Sequence, residues 1–414
     1  MNPIYLDHAS TTPVDPAVLK AMQPYFSKIY ANPSSIHAAG QEAKEAVEEA
    51  RKKVAEILHC LPEEIIFTSG GTESINLALK GIALQKKKGH IITSQIEHPA
   101  VLETCRYLER KGYKVTYLSV DKFGLISPAE VKKALRSETI LISIMYANNE
   151  IGTIEPILEI GKLAQQYKIP FHTDACQAGL LELDVEKIKV DMMTLNGSKI
   201  YGPKGIGILY KKNNMLLDPL HHGGGQEFGV RSGTENVPAI IGFAAALELV
   251  QKEKTKENKR VQQLRDYFIV EVLTKISDSF LSGHPTKRLS GNAHFSFAGV
   301  EAEAVVRHLS QKGIYASTGS ACSSTEAKNS SHPKLLSANG IELDEFLLPK
   351  IGSHTQEKIK PIFFGIEVSH VLKAVKSAHA LGGVRFSFGK ETSKEELKYV
   401  VKVVKDVVES LRKV

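Results

Sequence analysis

Four short segments hold side chains able to do chemistry. TSGGTES (68–74) places a Gly-Gly turn before Thr72. Backbone N–H groups of such a turn at a helix start, with Gly71 and the Thr72 hydroxyl beside them, suit an anionic group such as a phosphate. The same residues also read as a plain turn whose Thr or Ser caps a helix. HTDACQA (172–178) sets Asp174 just past an apolar run. A carboxylate there can keep a heterocyclic nitrogen protonated by ion pairing, with Gln177 near the same ring, or it can simply cap a helix. NGSKIYGPKGIG (196–207) holds Lys199 in a turn dense in glycine and followed by Pro203. A lysine at a strand end, away from solvent, can form a Schiff base, although a lone lysine is ordinarily surface decoration. STGSACSS (317–324) carries Cys322 in a Gly/Ser-rich stretch suited to an accessible thiol. A phosphate turn, then an Asp after one strand, then a Lys after a later strand form together the set of parts that a pyridoxal-phosphate (PLP) site needs. No GK[ST] follows the first turn, and GPKGIG lacks the dinucleotide-binding spacing, so neither nucleotide motif is present.

These segments need elements to position them. From Ile65 onward, the β-branched runs EIIFTS, HIITSQ, KVTYLSV, TILISIMYA, IPFHTDA, DMMTLNG and GIGILYK alternate with helix-length amphipathic stretches such as ESINLALKGIALQKK and LEIGKLAQQYK. That alternation predicts an α/β layer with a mostly parallel sheet, and such sheets collect ligands at the carboxyl ends of their strands. A long helix is expected over about 238–276. Beyond it, NAHFSFAG, GIYASTGS and GVRFSFG mix with helices and end in SKEELKYVVKVVKDVVESL, which reads as a smaller α+β domain. The stretch from Ser323 to about Val368 has little periodicity and reads as a long loop or inserted excursion.

Composition narrows the class. The chain has 414 residues, 42% hydrophobic and 24% charged, with a net charge of +7 spread among interleaved acids. No basic stripe with aromatics is visible, so direct nucleic-acid binding is not expected, and no apolar run is long enough to span a bilayer. The start, MNPIYLDHAS, does not read as a secretory signal. Four scattered cysteines form neither a disulfide framework nor a CxxC pair, which favours a reducing, cytoplasmic setting. The pair His221–His222 has no further ligand at metal spacing, so no metal is expected.

GGTES, EHPAVL, NNEIGT, DACQA, SKIYGPKG, HHGGGQEFGVRSGT, STGSACSS and GVRFSFG occur in the order seen in cysteine desulfurases of the class V aminotransferase family of PLP-dependent enzymes, and YLDHASTTP and ANPSSIH also resemble that family. The likeness covers nearly the whole chain apart from the excursion. It implies the aspartate-aminotransferase-like fold of type I, with a seven-stranded, mostly parallel sheet in a large PLP-binding domain (14–258). It also implies a small domain made of 1–13 and 259–414, interrupted by the excursion at about 325–367. Lys199 would carry the cofactor and move the substrate α-proton. Asp174 would pair with the pyridinium nitrogen, Gln177 would bond the ring 3-oxygen, and His98, by itself an ordinary histidine after a strand, would stack on the ring. Gly71, Thr72 and Ser198 would hold the phosphate, with Thr234 reaching in from the second subunit of a homodimer. Asn149 and Arg385 would grip the substrate carboxylate, and Cys322 would take the sulfur of L-cysteine as a persulfide, leaving alanine. The sulfur would go to an acceptor protein such as an iron–sulfur scaffold or a tRNA-thiolation protein.

The chain departs from the family pattern in three places. Ser198 stands where many relatives carry His, with Asn196 where Ser is common; the excursion is extra; and the acidic, aromatic-containing tail of housekeeping members does not follow the last helix. A selenocysteine lyase or an aminotransferase on the same fold, and a scaffold that has lost chemistry, are the rival readings. Intact Lys199, Asp174, Gln177, His98 and Arg385 argue against the last.

Overall fold

The computed structural model describes residues 3–319 and 368–413; Cys322 and the excursion lie outside the described residues. A short N-terminal strand, β1 (Ile4–Tyr5), precedes seven strands that form the main sheet. These are β2 (Ile65–Thr68), β3 (His90–Ser94), β4 (Lys114–Leu118), β5 (Thr139–Ser143), β6 (Phe171–Asp174), β7 (Met192–Asn196) and β8 (Gly207–Lys211), one for each apolar run named above. Their order is β2-β8-β7-β6-β5-β3-β4. Pairing is parallel from β4 through β7 and antiparallel where β8 joins β7 and β2.

Burial on both faces explains why these strands read as continuous apolar runs rather than as strict alternations. Along them, Ile92, Ile142 and Met193 enter one core cluster, while their neighbours Ile91, Leu141 and Met192 enter another across the sheet. Some polar side chains inside the sheet pair with one another across strands. His172 on β6 bonds Ser143 Oγ on β5 at 2.9 Å and Thr194 Oγ1 on β7 at 3.0 Å. Burial drives its pKa down to about 4, so the ring is neutral, donating through one nitrogen and accepting through the other.

The helix Val237–Lys275 runs between two cores, and the expected division at 258/259 falls inside it. Ile240, Phe243 and Leu247 join the main-sheet core, whereas Val261, Phe268 and Val272 join a second core farther along the chain. That second core covers a three-stranded antiparallel sheet in the order β12-β10-β9, formed by β9 (Ser279–Ser282), β10 (Asn292–Phe297) and β12 (Gly383–Ser387). Phe268 meets Phe295 and Phe386 edge-on, with ring centroids 5.9 and 5.1 Å apart. Each such buried ring contributes roughly 1.5–3 kcal/mol of transfer free energy. Among the described residues of the expected strand GIYASTGS, β11 (Ile314–Tyr315) is extended and pairs in parallel with β1, and Ser317 bridges to Arg385. That pairing returns the N-terminal segment to the C-terminal part of the chain.

Candidate active site

The main sheet changes direction between β3 and β5: β4 lies outside β3, and β6 and β7 extend the other way. Ligands favour the crevice at such a switch point. Here the strand ends present His98 after β3, Asn149 after β5, Asp174 at the end of β6 and Asn196 at the end of β7. With Gly71, Thr72, Gln177, Lys199 and Arg385 they line an open cleft of about 820 Å³. A neighbouring cavity of about 830 Å³ shares Lys199 and Gln177 but not Thr72, Asp174, His98 or Arg385, so it lacks the convergent polar set.

Local sequence explains each placement. Gly70 has φ +146°, a conformation that residues with side chains rarely adopt, and it opens the helix Gly71–Leu84, whose first two residues line the cleft. A Cβ on Gly71 would lie 2.8 Å from Cys176 Sγ, so the helix start and the loop after β6 approach closely there and a larger residue would displace the Cys176 side chain. Asp174 is 6% exposed, and its Oδ1 accepts the N–H of Cys176 at 3.0 Å. Lys199 ends the short helical turn Gly197–Lys199 after β7, and its Nζ donates to the carbonyl of Ser10. His98 caps the helix Pro99–Arg110, its Nδ1 accepting the N–H of Ala100 at 3.1 Å, which leaves Nε2 as the protonated nitrogen of the neutral ring. Burial lowers the His98 pKa, and Lys199 and His370 push it the same way, against the opposite pull of Asp174.

Beneath this layer is a second carboxyl. Glu97 is fully buried; its Oε1 accepts from Ser94 Oγ at 2.7 Å and from the N–H of Met145 at 3.0 Å. Burial pushes its pKa up to about 8, and the nearby Asp174 charge adds to the rise. Arg385, 2% exposed, enters the cleft from β12. Its Nη1 donates to the carbonyls of Asn149 (2.9 Å) and Gly319 (2.8 Å), and its Nη2 to Asp7 Oδ1 and Ser10 Oγ, both at 2.6 Å.

Eight of the sequence-predicted residues therefore meet in one cleft: Gly71, Thr72, His98, Asn149, Asp174, Gln177, Lys199 and Arg385. Two do not line it. Ser198 turns its hydroxyl to Asn196 Oδ1 at 3.3 Å, and Thr234 is exposed on the loop before the helix Val237–Lys275. Cys322 lies outside the described residues. Sequence reasoning missed Ser10, Cys176 and Asn196 as lining residues. Asn196 and Cys176 sit inside motifs already singled out, whereas Ser10 gave no signal beyond its place in YLDHASTTP. His221 lies 3.6 Å from Glu73, a carboxylate far from it in sequence, but no cluster of three or more metal-ligating side chains occurs among the described residues.

The cleft suits PLP. A helix N-terminus opened by Gly71 can receive the phosphate, a buried carboxylate can face the ring nitrogen, and a lysine lines the same cleft.

Comparison with known proteins agrees with that reading. The aminotransferase class-V family model matches residues 4–400. A cysteine desulfurase IscS of Dictyoglomus turgidum is 46% identical over 414 residues, covering 99% of this chain and 95% of that protein. A solved NifS-like protein superposes with a TM-score of 0.84 at 34% identity, covering 99% of this chain and all of that one. A structure described as SspA in complex with cysteine gives a TM-score of 0.74 at 36% identity, over 93% and 98% of the two chains.

Proposed function

The chain belongs to the aminotransferase class-V family of PLP-dependent enzymes, and we propose that it is a cysteine desulfurase that converts L-cysteine to L-alanine and loads the sulfur onto Cys322. The observation that carries this reading is the convergence of Lys199, Asp174, His98, Thr72 and Arg385 on one cleft. Similarity to a desulfurase along 99% of the chain, and to a structure described with cysteine, supports the substrate.

Bound in the cleft, PLP supplies an electron sink for the charge left when a substrate α-proton departs. Lys199 would hold the cofactor and would take that α-proton on Nζ. Asp174 would keep the ring nitrogen protonated, its burial strengthening the charge–charge interaction by excluding water. Gln177 would serve the ring oxygen, and neutral His98 would pack on the ring face without adding a positive charge. Gly71, Thr72 and the N-terminus of Gly71–Leu84 would take the phosphate, joined by Thr234 of a second copy in a homodimer, whereas the Ser198 hydroxyl is held by Asn196 Oδ1. Arg385 and Asn149 orient the substrate carboxylate. The Cys322 thiolate attacks the substrate sulfur; an S–S bond forms as the Cβ–S bond breaks, and Cβ gains a proton. The balance is L-cysteine plus Cys322 thiol giving L-alanine plus Cys322 persulfide.

The persulfide then supplies an acceptor protein of iron–sulfur cluster assembly or of tRNA or cofactor thiolation. The free thiols of Cys60, Cys105 and Cys176 suit a reducing compartment, which supports a cytoplasmic enzyme. Among the described residues no helix is long and apolar enough to cross a membrane.

The test is to purify the protein with PLP and assay alanine and sulfide from L-cysteine with a reductant. Alanine and sulfide in equal amounts, with sulfide release abolished in Cys322→Ala and cofactor colour lost in Lys199→Ala, are expected. A colourless protein that refuses PLP, or full sulfide release by Cys322→Ala, would overturn the reading.

A further inference from the structure

Arg385 is the most enclosed charged group in the cleft, and its Nη hydrogens are already engaged. Nη1 serves two backbone carbonyls, Asn149 and Gly319, while Nη2 serves Asp7 Oδ1 and Ser10 Oγ. Among the described residues the buried Nε has no hydrogen-bond partner. Asp7 stands behind the guanidinium. Ser10 and Arg385 line the cleft but Asp7 does not, and the Ser10 hydroxyl bridges the two by donating to Asp7 Oδ1 at 2.8 Å.

The backbone holds Asp7 firmly in that place. It forms a parallel bridge with Ser387, two residues past Arg385 on β12. Its carbonyl accepts from Tyr5 Oη at 3.1 Å and from the N–H of Ser10 at 3.0 Å. The Asp7 side chain is 19% exposed against 2% for Arg385, so the pair is largely desolvated. An arginine has many rotamers, and a planar guanidinium recognises a carboxylate only when its fork is aimed. The carbonyls of Asn149 and Gly319 fix one end of the fork; Asp7 fixes the other.

We infer that Asp7 is the positioning residue for recognition of the substrate carboxylate: it aims Arg385 from behind, and the Ser10 hydroxyl stands on the cleft side of Nη2, where that carboxylate competes for the donor. This rests on the proposed reading of Arg385 as the carboxylate site. A residue that aims such a donor acts equally on ground and transition states, so its loss raises KM and leaves kcat nearly unchanged.

The experiment compares Asp7→Ala and Asp7→Asn with wild type, as PLP-loaded enzyme, on L-cysteine and on L-cysteine methyl ester, which lacks the negative charge. Asp7→Ala is expected to raise the KM for cysteine about tenfold and Asp7→Asn, which keeps an acceptor oxygen, about threefold, consistent with the energy of a hydrogen bond to a charged group. In both, kcat stays within about twofold and the ester constants do not move. The dissociation constant of 3-mercaptopropionate, a carboxylate without the amine, should rise in parallel by calorimetry. An unchanged cysteine KM, or an equal loss on cysteine and ester, overturns the inference; if Asp7→Ala does not fold, the isosteric Asp7→Asn decides alone. Arg385→Ala separates the two levels. If it changes cysteine KM while the Asp7 variants do not, only the role of Asp7 falls; if it leaves cysteine KM untouched, the carboxylate reading itself falls.

Discussion

Asn196 Oδ1 accepts both the backbone N–H and the hydroxyl of Ser198, at 3.2 and 3.3 Å. One oxygen thus turns the serine beside Lys199 away from the cleft and leaves the asparagine at its edge.

The arrangement predicts an order of effects on cofactor affinity. Asn196→Ala removes a lining group and frees the Ser198 turn, so the dissociation constant for PLP should rise about tenfold; Ser198→Ala should raise it about threefold or less. Titration of the apoprotein with PLP, followed by absorbance, measures both. A larger effect for Ser198 would place its hydroxyl on the phosphate instead.

Asp174 is nearly inaccessible, and its carboxylate accepts the Cys176 N–H. In Asp174→Asn the shape survives and the charge does not. Turnover of L-cysteine should fall roughly 10²–10³-fold, the range seen when one preorganised electrostatic contact is lost. Single-turnover kinetics on PLP-saturated variant and wild type check it; a loss confined to PLP binding would contradict an electronic role.

Glu97 yields a pH signature. Its folded pKa is raised to about 8 from an ordinary 4.5. Between those values the folded carboxyl stays protonated while the unfolded one ionises, so unfolding releases a proton and stability falls as pH rises. Glu97→Gln lacks that proton. The stability of wild type relative to Glu97→Gln should therefore decline by up to about 1.4 kcal/mol per pH unit between pH 4.5 and 8, then level off. Urea denaturation of both proteins from pH 5 to 9 measures it, and a flat difference would show that Glu97 is ionised in the fold.

Arg51 and Glu227 form a buried two-bond pair, each N–O distance 2.8 Å, with the N–H of Phe67 also on Glu227 Oε2 at 2.8 Å. Glu227 sits at φ +48°, an unfavourable conformation for a non-glycine residue, at the base of the loop carrying Thr234. Glu227→Ala should destabilise the protein by about 3–5 kcal/mol, because it strands a buried guanidinium. A joint Arg51→Met, Glu227→Leu variant should recover much of that loss in chemical denaturation.

Much of the site was legible in the chain because its signals are local. A Gly-Gly turn needs the backbone freedom seen at Gly70, and apolar runs ending in Asp174 and in Asn196–Lys199 place those residues at the carboxyl edge of a sheet. The seven main strands follow from the same periodicity. Other features depend on contacts between distant segments. Asp7 and Arg385 lie 378 residues apart and meet because the N-terminal segment bridges to Ser387, the last residue of β12. Ser198 looks like a phosphate ligand until the side chain of Asn196 takes its hydroxyl. The second carboxyl, Glu97, looks like any surface glutamate until Ser94, Met145 and the packed core close over it. Residue types and their spacing determined which chemistry this protein can perform. Which donors remain for a ligand was decided by the tertiary structure alone, because hydrogen bonds and desolvation between remote segments leave no periodicity in the sequence.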